Sequence, residues 1–250
     1  RESVSEQSID LELLVSIRDR ELSVIQKADK TFIYTKEEKT ALESHFIPCN
    51  KLFLNPWVLD KKEKVSPASK NGICFLGGYN HKPNIQAVNW FVENVMPKVV
   101  SKDPSIVFNI YGSNFPCTLK DKLSSNKNVN IIGFVESLDD VFKHNRLFVA
   151  PLLSGAGIKG KVLEAISYGM PCVLSGVAAE GISFVDGSNC IIPETADDWC
   201  CSIIDLYDNE ELLDEYSNAS HFLANNNYDF DYARILYSEV LSEFKIKHSG

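Results

Sequence analysis

Residues 154–169 read S-G-A-G-I-K-G-K-V-L-E-A-I-S-Y-G, and this run decides both the fold and the place to look for a ligand. An apolar, strand-like stretch (147–153) precedes it, and from Val162 onward apolar residues recur at the spacing of a helix face. Strand, glycine loop and helix in that order form the unit from which parallel α/β sheets are built. Gly155, Gly157 and Gly160 permit close backbone approach to a ligand, and the first amides of the helix point at whatever anion sits above them. Lys159 and Lys161 add two positive charges in a chain of net charge −9. A diphosphate suits that arrangement.

The alternation continues to either side. Buried-type strands are expected at 73–77, 106–111, 129–132, 147–150 and 172–174, with helices at 84–100, 119–124, 138–144 and 159–168. The strands are continuous apolar runs rather than alternating ones, which indicates a parallel sheet covered on both faces. Three further helical stretches, 196–207, 210–225 and 230–244, close the chain. The expected fold is α/β, a Rossmann-like doubly wound parallel sheet preceded by a small α/β segment. That segment comprises a helical pattern (Ile9, Leu13, Leu14, Ile17, Leu22, Ile25), a strand at 31–34, a helix at 36–45 and a strand at 52–54. It is too small to be a complete dinucleotide-type domain. Residues 55–70 read as a linker, with an Asn-Pro pair, a charge cluster (Asp60, Lys61, Lys62, Glu63, Lys64) and a Ser-Pro-Ala-Ser run. The expected division is therefore 1–66 and 67–250. The chain begins with Arg in a polar, helix-like stretch, and is expected to be cut from a longer polypeptide.

With 250 residues and 44% apolar content, the chain can bury a substantial core. Its acidic balance argues against a nucleic-acid partner, which needs a basic face. No stretch is long and apolar enough to span a bilayer, and no signal peptide is expected. The seven cysteines form no C-x-x-C pair and no zinc-type cluster with histidine. Cys74, Cys172 and Cys190 lie in apolar runs where a thiol acts as a small hydrophobe, and all seven are expected to be reduced and structural, in the cytoplasm.

Ligands of such sheets bind beyond the carboxyl ends of the strands. Four loops leave the expected strand ends there: G-G-Y-N-H-K at 77–82, Y-G-S-N at 111–114, G-F-V-E at 133–136, and the glycine run. Gly77, Gly78 and Gly112 suit a tight turn as well as a nearby ligand. His81 and Lys82 read equally as exposed turn residues or as phosphate contacts. Phe134 and Val135 either make an ordinary turn or read a nucleobase through main-chain groups. Residues two apart at a helix start point in different directions, so one of Lys159 and Lys161 is expected to be solvated, and Lys159 is assigned to the diphosphate. Glu164 either complements the helix dipole or binds ligand hydroxyls. Glu180, in A-A-E-G-I at 178–182, either reaches the crevice or, as the favoured reading, is a turn residue. No Asp-x-Asp motif in the core of the alternation offers a metal site.

Together these stretches resemble the carboxyl-terminal, donor-binding domain of retaining glycosyltransferases of family 4, whose two facing Rossmann-like domains make up the GT-B fold. The run 155–175 followed by A-A-E-G-I is similar to the family's glycine loop, Val-Leu-Glu-Ala helix and Gly-x-Pro-Val-Val strand. Phe75-Leu76-Gly77-Gly78 with Pro83-Asn84 resembles its opening loop, and Gly133-Phe134-Val135 its base-reading loop. Ala28-Asp29 resembles part of the last β-α-β portion of the amino-terminal domain, so 1–66 is expected to be a remnant of that acceptor-side domain plus the linker.

The resemblance implies a nucleotide sugar as donor, UDP- or GDP-linked, and a glycan or other hydroxyl as acceptor. It implies retention at the anomeric carbon, no cofactor and no metal. Glu164 would bind the ribose hydroxyls and Lys159 would be the catalytic group facing the leaving diphosphate. Gly77, Gly78, Lys82, Gly112, Phe134, Val135, Gly155, Gly157, Ile158 and Lys161 would surround the nucleotide. Many members carry a second glutamate eight positions before the one matching Glu164; here that position is Ala156. A non-catalytic nucleotide-sugar-binding module that needs a neighbouring or partner domain is the alternative. A Rossmann dehydrogenase is disfavoured, because no G-x-G-x-x-G follows the first strand of the core.

Overall fold

The computed structural model describes residues 11–55, 57–67 and 70–247, with side chains as far as Ser242. Ile9, Pro56, Ala68 and Ser69, used in the readings above, lie outside the described residues. The leading segment contains helix α1 (Leu11–Lys27), strand β1 (Thr31–Ile33), helix α2 (Lys36–Ser44) and strand β2 (Leu52–Leu54). The main body follows as β3 (Ile73–Leu76), α3 (Lys82–Asn94), α4 (Met96–Lys102), β4 (Phe108–Tyr111), α5 (Cys117–Leu123), β5 (Val129–Gly133), α6 (Asp139–Phe142), β6 (Leu147–Ala150), α7 (Gly160–Ser167) and β7 (Cys172–Leu174). Helices α8 (Gly176–Ala179), α9 (Ala196–Asp208), α10 (Glu210–Asn227) and α11 (Phe230–Lys247) complete it.

The five strands of the main sheet are all parallel, in the order β5-β4-β3-β6-β7. Chain order runs outward in both directions from the β3–β6 seam, so the loops leaving these two strands diverge and open a crevice. Every residue of β6 is fully buried, as expected of a strand covered on both faces. Phe91, Phe108 and Trp199 form one aromatic cluster beneath α3 and α9, with ring centroids 4.7 and 5.8 Å apart. Each such side chain contributes about 1.5–3 kcal/mol through burial.

The expected helix 84–100 is two helices. α3 starts at Lys82 with Pro83 in its first turn and ends at the cap Val95, and Pro97 then opens α4. Proline lacks an amide hydrogen and is tolerated at a first turn, not inside a helix, which explains the break. α8 was not expected; Ser175 caps it by accepting from the Ala178 amide.

The leading segment has its own small core. β1 and β2 pair in parallel, and Ile33, Ile47 and Leu52 pack with the partly buried Leu22, Ile25 and Leu42. A capping box starts α2: Thr35 Oγ1 accepts from the Glu38 amide at 3.0 Å, and the Glu38 carboxylate accepts from the Thr35 amide at 3.2 Å. α1 buries no residue, and Leu13, Leu14 and Ile17 are exposed.

The stretch expected to be a linker holds no helix or strand in its described part, yet it is strapped to the main body. Leu59 and Val65 are buried in the large core, and their amides donate to the carbonyls of Tyr228 (2.8 Å) and Tyr168 (2.9 Å). Lys64 Nζ donates to Asn218 Oδ1 at 2.6 Å. α10 in turn supports α7: Ser217 Oγ donates to the Gly169 carbonyl at 2.7 Å. α11 returns to the leading segment, where the Tyr237 ring packs 6.0 Å from Phe32 and 6.1 Å from Phe53, and its hydroxyl bonds Asn55. All seven cysteines are free. Cys74, Cys172, Cys190 and Cys200 are buried, but Cys49, Cys117 and Cys201 are exposed and do not share the structural role expected of all seven.

Candidate functional site

Three glycine-led loops interlock at the carboxyl end of the sheet. The Gly77 amide donates to the Tyr111 carbonyl at 3.1 Å, and the Gly112 amide to the Gly133 carbonyl at 2.7 Å. A Cβ on Gly112 would stand 1.7 Å from the Gly77 carbonyl oxygen, and its φ of +132° is strained for any other residue. Glycine here lets two loops touch while both still face the crevice.

α7 starts beside them, with Lys159 as an N-cap that makes no side-chain cap bond. Helix geometry leaves the amides of Gly160 and Lys161 ahead of the first helical bond, and the first bond recorded is from Val162 to the Lys159 carbonyl at 2.8 Å. Lys161 Nζ donates to Asn84 Oδ1 at 2.5 Å and lies 4.5 Å from the centroid of the Phe75 ring. Asn84 is buried and donates from Nδ2 to the Gly78 carbonyl at 2.7 Å. One hydrogen-bonded chain thus links the helix start to the first loop. Burial pushes the Lys161 ammonium down to about 7, and the charge of Lys159 pushes the same way.

A cleft of about 380 Å³ covers this junction, lined by Leu76, Gly77, Gly78, Gly112, Ser113, Phe134, Val135, Leu138, Lys161 and Glu164. The Glu164 carboxylate is half-buried and makes no hydrogen bond or ion pair with the described residues. Burial raises its pKa, opposed by Lys62 and helped by Asp60. It is not capping the first-turn amides of α7. Phe134 is 72% exposed at the rim, after Gly133 with φ +85°.

A second cleft, of about 390 Å³, lies between the leading segment and the glycine loop, where Tyr34, Thr35, Glu37 and Glu38 face Ala156, Gly157 and Glu180. Lys159 Nζ bonds the Gly157 carbonyl and lies 3.8 Å from Glu180 Oε2; the two side chains are only 10% and 17% exposed. Burial lowers the Lys159 pKa and Glu180 counteracts it. Trp57 of the strap stands against the start of α7, 3.3 Å from where a Cβ on Gly160 would be. A larger cleft of about 550 Å³ around Trp90, Pro151 and Glu194 carries no cation.

The structure therefore gathers Gly77, Gly78, Gly112, Phe134, Val135, Lys161 and Glu164 into one cleft. Gly155, Gly157, Ile158 and Lys159 lie on the adjoining loop outside that cleft, and Lys82 is exposed at the start of α3. Neither lysine is fully solvated, against the expectation for one of them: Lys161 is partly buried against Phe75, and Lys159 against Glu180. Sequence reasoning gave no role to Asn84, Ser113 or Leu138, and favoured a turn for Glu180 over a place in the crevice. A buried asparagine opening an otherwise apolar helix face was the one available signal. Among the described residues, no group of three or more His, Cys, Asp or Glu could hold a metal ion, and no helix is long and apolar enough to cross a membrane.

Comparison with known proteins bears on this arrangement. The family described as "Glycosyl transferases group 1" matches residues 70–209, the sheet, its glycine loops and α7 included. An uncharacterised 44.6 kDa protein in the cps region of Klebsiella pneumoniae is 23% identical over 224 residues, which are 86% of this chain and 56% of that protein. A variant of S. aureus TarM, solved with fondaparinux, alpha-GlcNAc-glycerol and UDP, superposes with a TM-score of 0.74 at 16% identity, over 88% of this chain and 46% of that one. HepE of Anabaena, solved with UDP and glucose, gives 0.73 at 12% identity, over 91% and 67%. The chain spans about half the length of the curated relative it matches. These neighbours share the α/β architecture of GT-B glycosyltransferases. The match over more than half of its length makes the chain a member of the glycosyl transferases group 1 family.

Proposed function

We propose that the chain is the donor-binding part of a retaining glycosyltransferase of family 4, moving a hexose or deoxyhexose from a UDP- or GDP-linked donor to a glycan or other hydroxyl acceptor. The observation that carries this reading is Lys161. An ammonium has three donors, and here it is withdrawn from water with Asn84 as its hydrogen-bond partner and an aromatic face below. It stands beside the free amides of α7 at the switch point of the sheet, where an anion satisfies both. A nucleoside diphosphate fits. Its phosphates lie over the α7 start and Lys161, its ribose hydroxyls donate to Glu164, and its base stacks toward Phe134 and Val135. UDP in the TarM and HepE structures supports the nucleotide on grounds of fold.

In the transfer step the bond between the anomeric carbon and the diphosphate oxygen breaks, and an acceptor oxygen bonds that carbon from the same face as its proton passes to the departing diphosphate. Charge builds on the departing diphosphate. Lys161 and the α7 amides stabilise it from the cleft, and Lys159 does so after leaving the Gly157 carbonyl, as fixed donors aimed at developing charge do. Two lysines and a helix start supply that charge without a metal. We assign residues 1–66 to the acceptor side and 67–250 to the donor side, with neighbouring domains of a longer polypeptide completing the acceptor site, in a cytoplasmic enzyme. The match to half of its relative's length favours one alternative: a donor-binding module inactive without a partner domain. An assay of donor hydrolysis and transfer by the 250-residue chain decides between them. Turnover abolished by Lys159→Ala supports the enzyme; nucleotide binding with no turnover across a panel of acceptors supports the module.

A further inference from the structure

Glu180 has no part in the proposed nucleotide contacts, yet the fold positions it with care. It follows α8, and its turn is gripped from two sides. Gly181 has φ +77°, and a Cβ there would fall 2.5 Å from Thr35 Cγ2 and 3.0 Å from Ile158 Cγ1. The turn is thus wedged between the leading segment and the glycine loop, and no larger residue fits at 181. Glu180 itself is mostly buried, 3.8 Å from the Lys159 ammonium, in the cleft lined by Ala156 and Gly157. Withdrawing a carboxylate from water in the wall of a cleft is a costly placement for a residue that only turns the chain.

The two clefts flank a single loop. Lys161 and Glu164 line one of them, and Ala156, Gly157 and Glu180 the other, with Lys159 between. A diphosphate on the start of α7 directs whatever it carries along residues 155–159, toward Glu180. A carboxylate offers about four acceptor sites, and a sugar presents hydroxyl donors. Hydrogen bonds to a charged acceptor are short and directional, so they distinguish one arrangement of hydroxyls from another.

We propose that Glu180 determines donor specificity, its carboxylate accepting hydrogen bonds from hydroxyls of the sugar carried on the nucleoside diphosphate. The inference rests on the donor reading above and goes further by naming the residue that reads the sugar. When the diphosphate draws Lys159 away from the Gly157 carbonyl, Lys159 bridges phosphate and Glu180, and the carboxylate is held in place against the sugar. An acceptor hydroxyl in the same cleft is the competing occupant, and binding of the donor alone separates the two.

The test is titration calorimetry of the parent and of Glu180→Gln with UDP, UDP-glucose, UDP-galactose and UDP-N-acetylglucosamine, and with GDP and GDP-mannose. Thermal melts check that the variant folds. The expected result is that Glu180→Gln binds the bare diphosphate within about twofold of the parent, while the sugar nucleotide that the parent prefers loses roughly tenfold or more, flattening the preference among sugars. Parent-like affinity for every sugar nucleotide would overturn the proposal. An equal loss for diphosphate and sugar nucleotide would overturn it too, by showing that Glu180 acts only through Lys159. A parent that binds none of the nucleotides would instead sink the donor reading itself, and this inference with it.

Discussion

The seam of the large sheet and the leading segment are built to different standards. At the seam, β3 and β6 are buried on both faces, three glycine loops bond one another, and Lys161 is tied through Asn84 to Gly78. In the leading segment two three-residue strands and one small cluster hold the fold, α1 contributes only Leu22 and Ile25 to that cluster while Leu14 and Ile17 stay exposed, and α11 reaches across to brace the strands through Tyr237. The lesson concerns preorganisation. The half proposed to bind the donor is cross-braced before any ligand arrives, whereas the leading segment, proposed as the acceptor side, is thinly held and depends on contacts far away in sequence.

That contrast can be broken most severely at Gly112. Gly112→Val puts a branched side chain against the Gly77 carbonyl at a positive φ, and should cost about 3 kcal/mol or more, or prevent folding. Urea denaturation reads the loss; a variant as stable as the parent would mean that the loops do not interlock. Glu164→Ala should follow, weakening nucleoside diphosphate binding by about 2–4 kcal/mol through the loss of two ribose contacts while leaving the melting temperature unchanged. Unchanged affinity would return Glu164 to a role in helix electrostatics.

Lys161 offers a test that depends on pH. Burial pushes its pKa down to about 7 in the folded protein, from about 10.5 for a lysine in water. Below pH 7 both states hold the proton and the folded state bears the full burden of a buried charge. Between pH 7 and 10.5 the unfolded chain binds more protons, so stability rises with pH across that window. Lys161→Met should be more stable than the parent at pH 6.5, and the gap should narrow toward pH 10; a gap that stays constant would contradict a buried ammonium. The smallest effect belongs to the leading core. Leu22→Ala, at a partly buried position, should cost about 1 kcal/mol and leave nucleotide affinity untouched. Lost affinity there would couple the two regions more tightly than their contacts indicate.

How much of this was legible in the sequence varies with the range of the interaction. Residues 147–150 and 172–174 read as buried parallel strands because continuous apolar runs have one consistent explanation, and the glycine loops followed from their place after such strands. The break of the expected helix near Val95 was in principle visible in Pro97, but an apolar face that continues through both halves concealed it. The strap from Trp57 to Val65 looked like a solvated charge run, since its anchors, Leu59 and Val65, are only two residues among polar neighbours. The pairs that define the site, Lys161 with Asn84 and Lys159 with Glu180, join residues 77 and 21 positions apart. No local pattern records such pairings, and for that reason Lys159 looked like the stronger candidate when Lys161 holds the place in the cleft.

The account stands most directly on what happens when a nucleoside diphosphate meets the start of α7. Titration calorimetry with UDP and GDP at pH 8, in two buffers of different ionisation enthalpy and with a chelator present, measures affinity and proton uptake together. Lys161 is largely neutral at pH 8 in the free protein and regains its charge against a phosphate, so one of the two nucleotides should bind without metal and take up close to one proton. In Lys161→Met the uptake should vanish and affinity should fall by about 1.5–3 kcal/mol. Binding that needs added magnesium or manganese, or that takes up no proton and survives in Lys161→Met, would contradict the central claim.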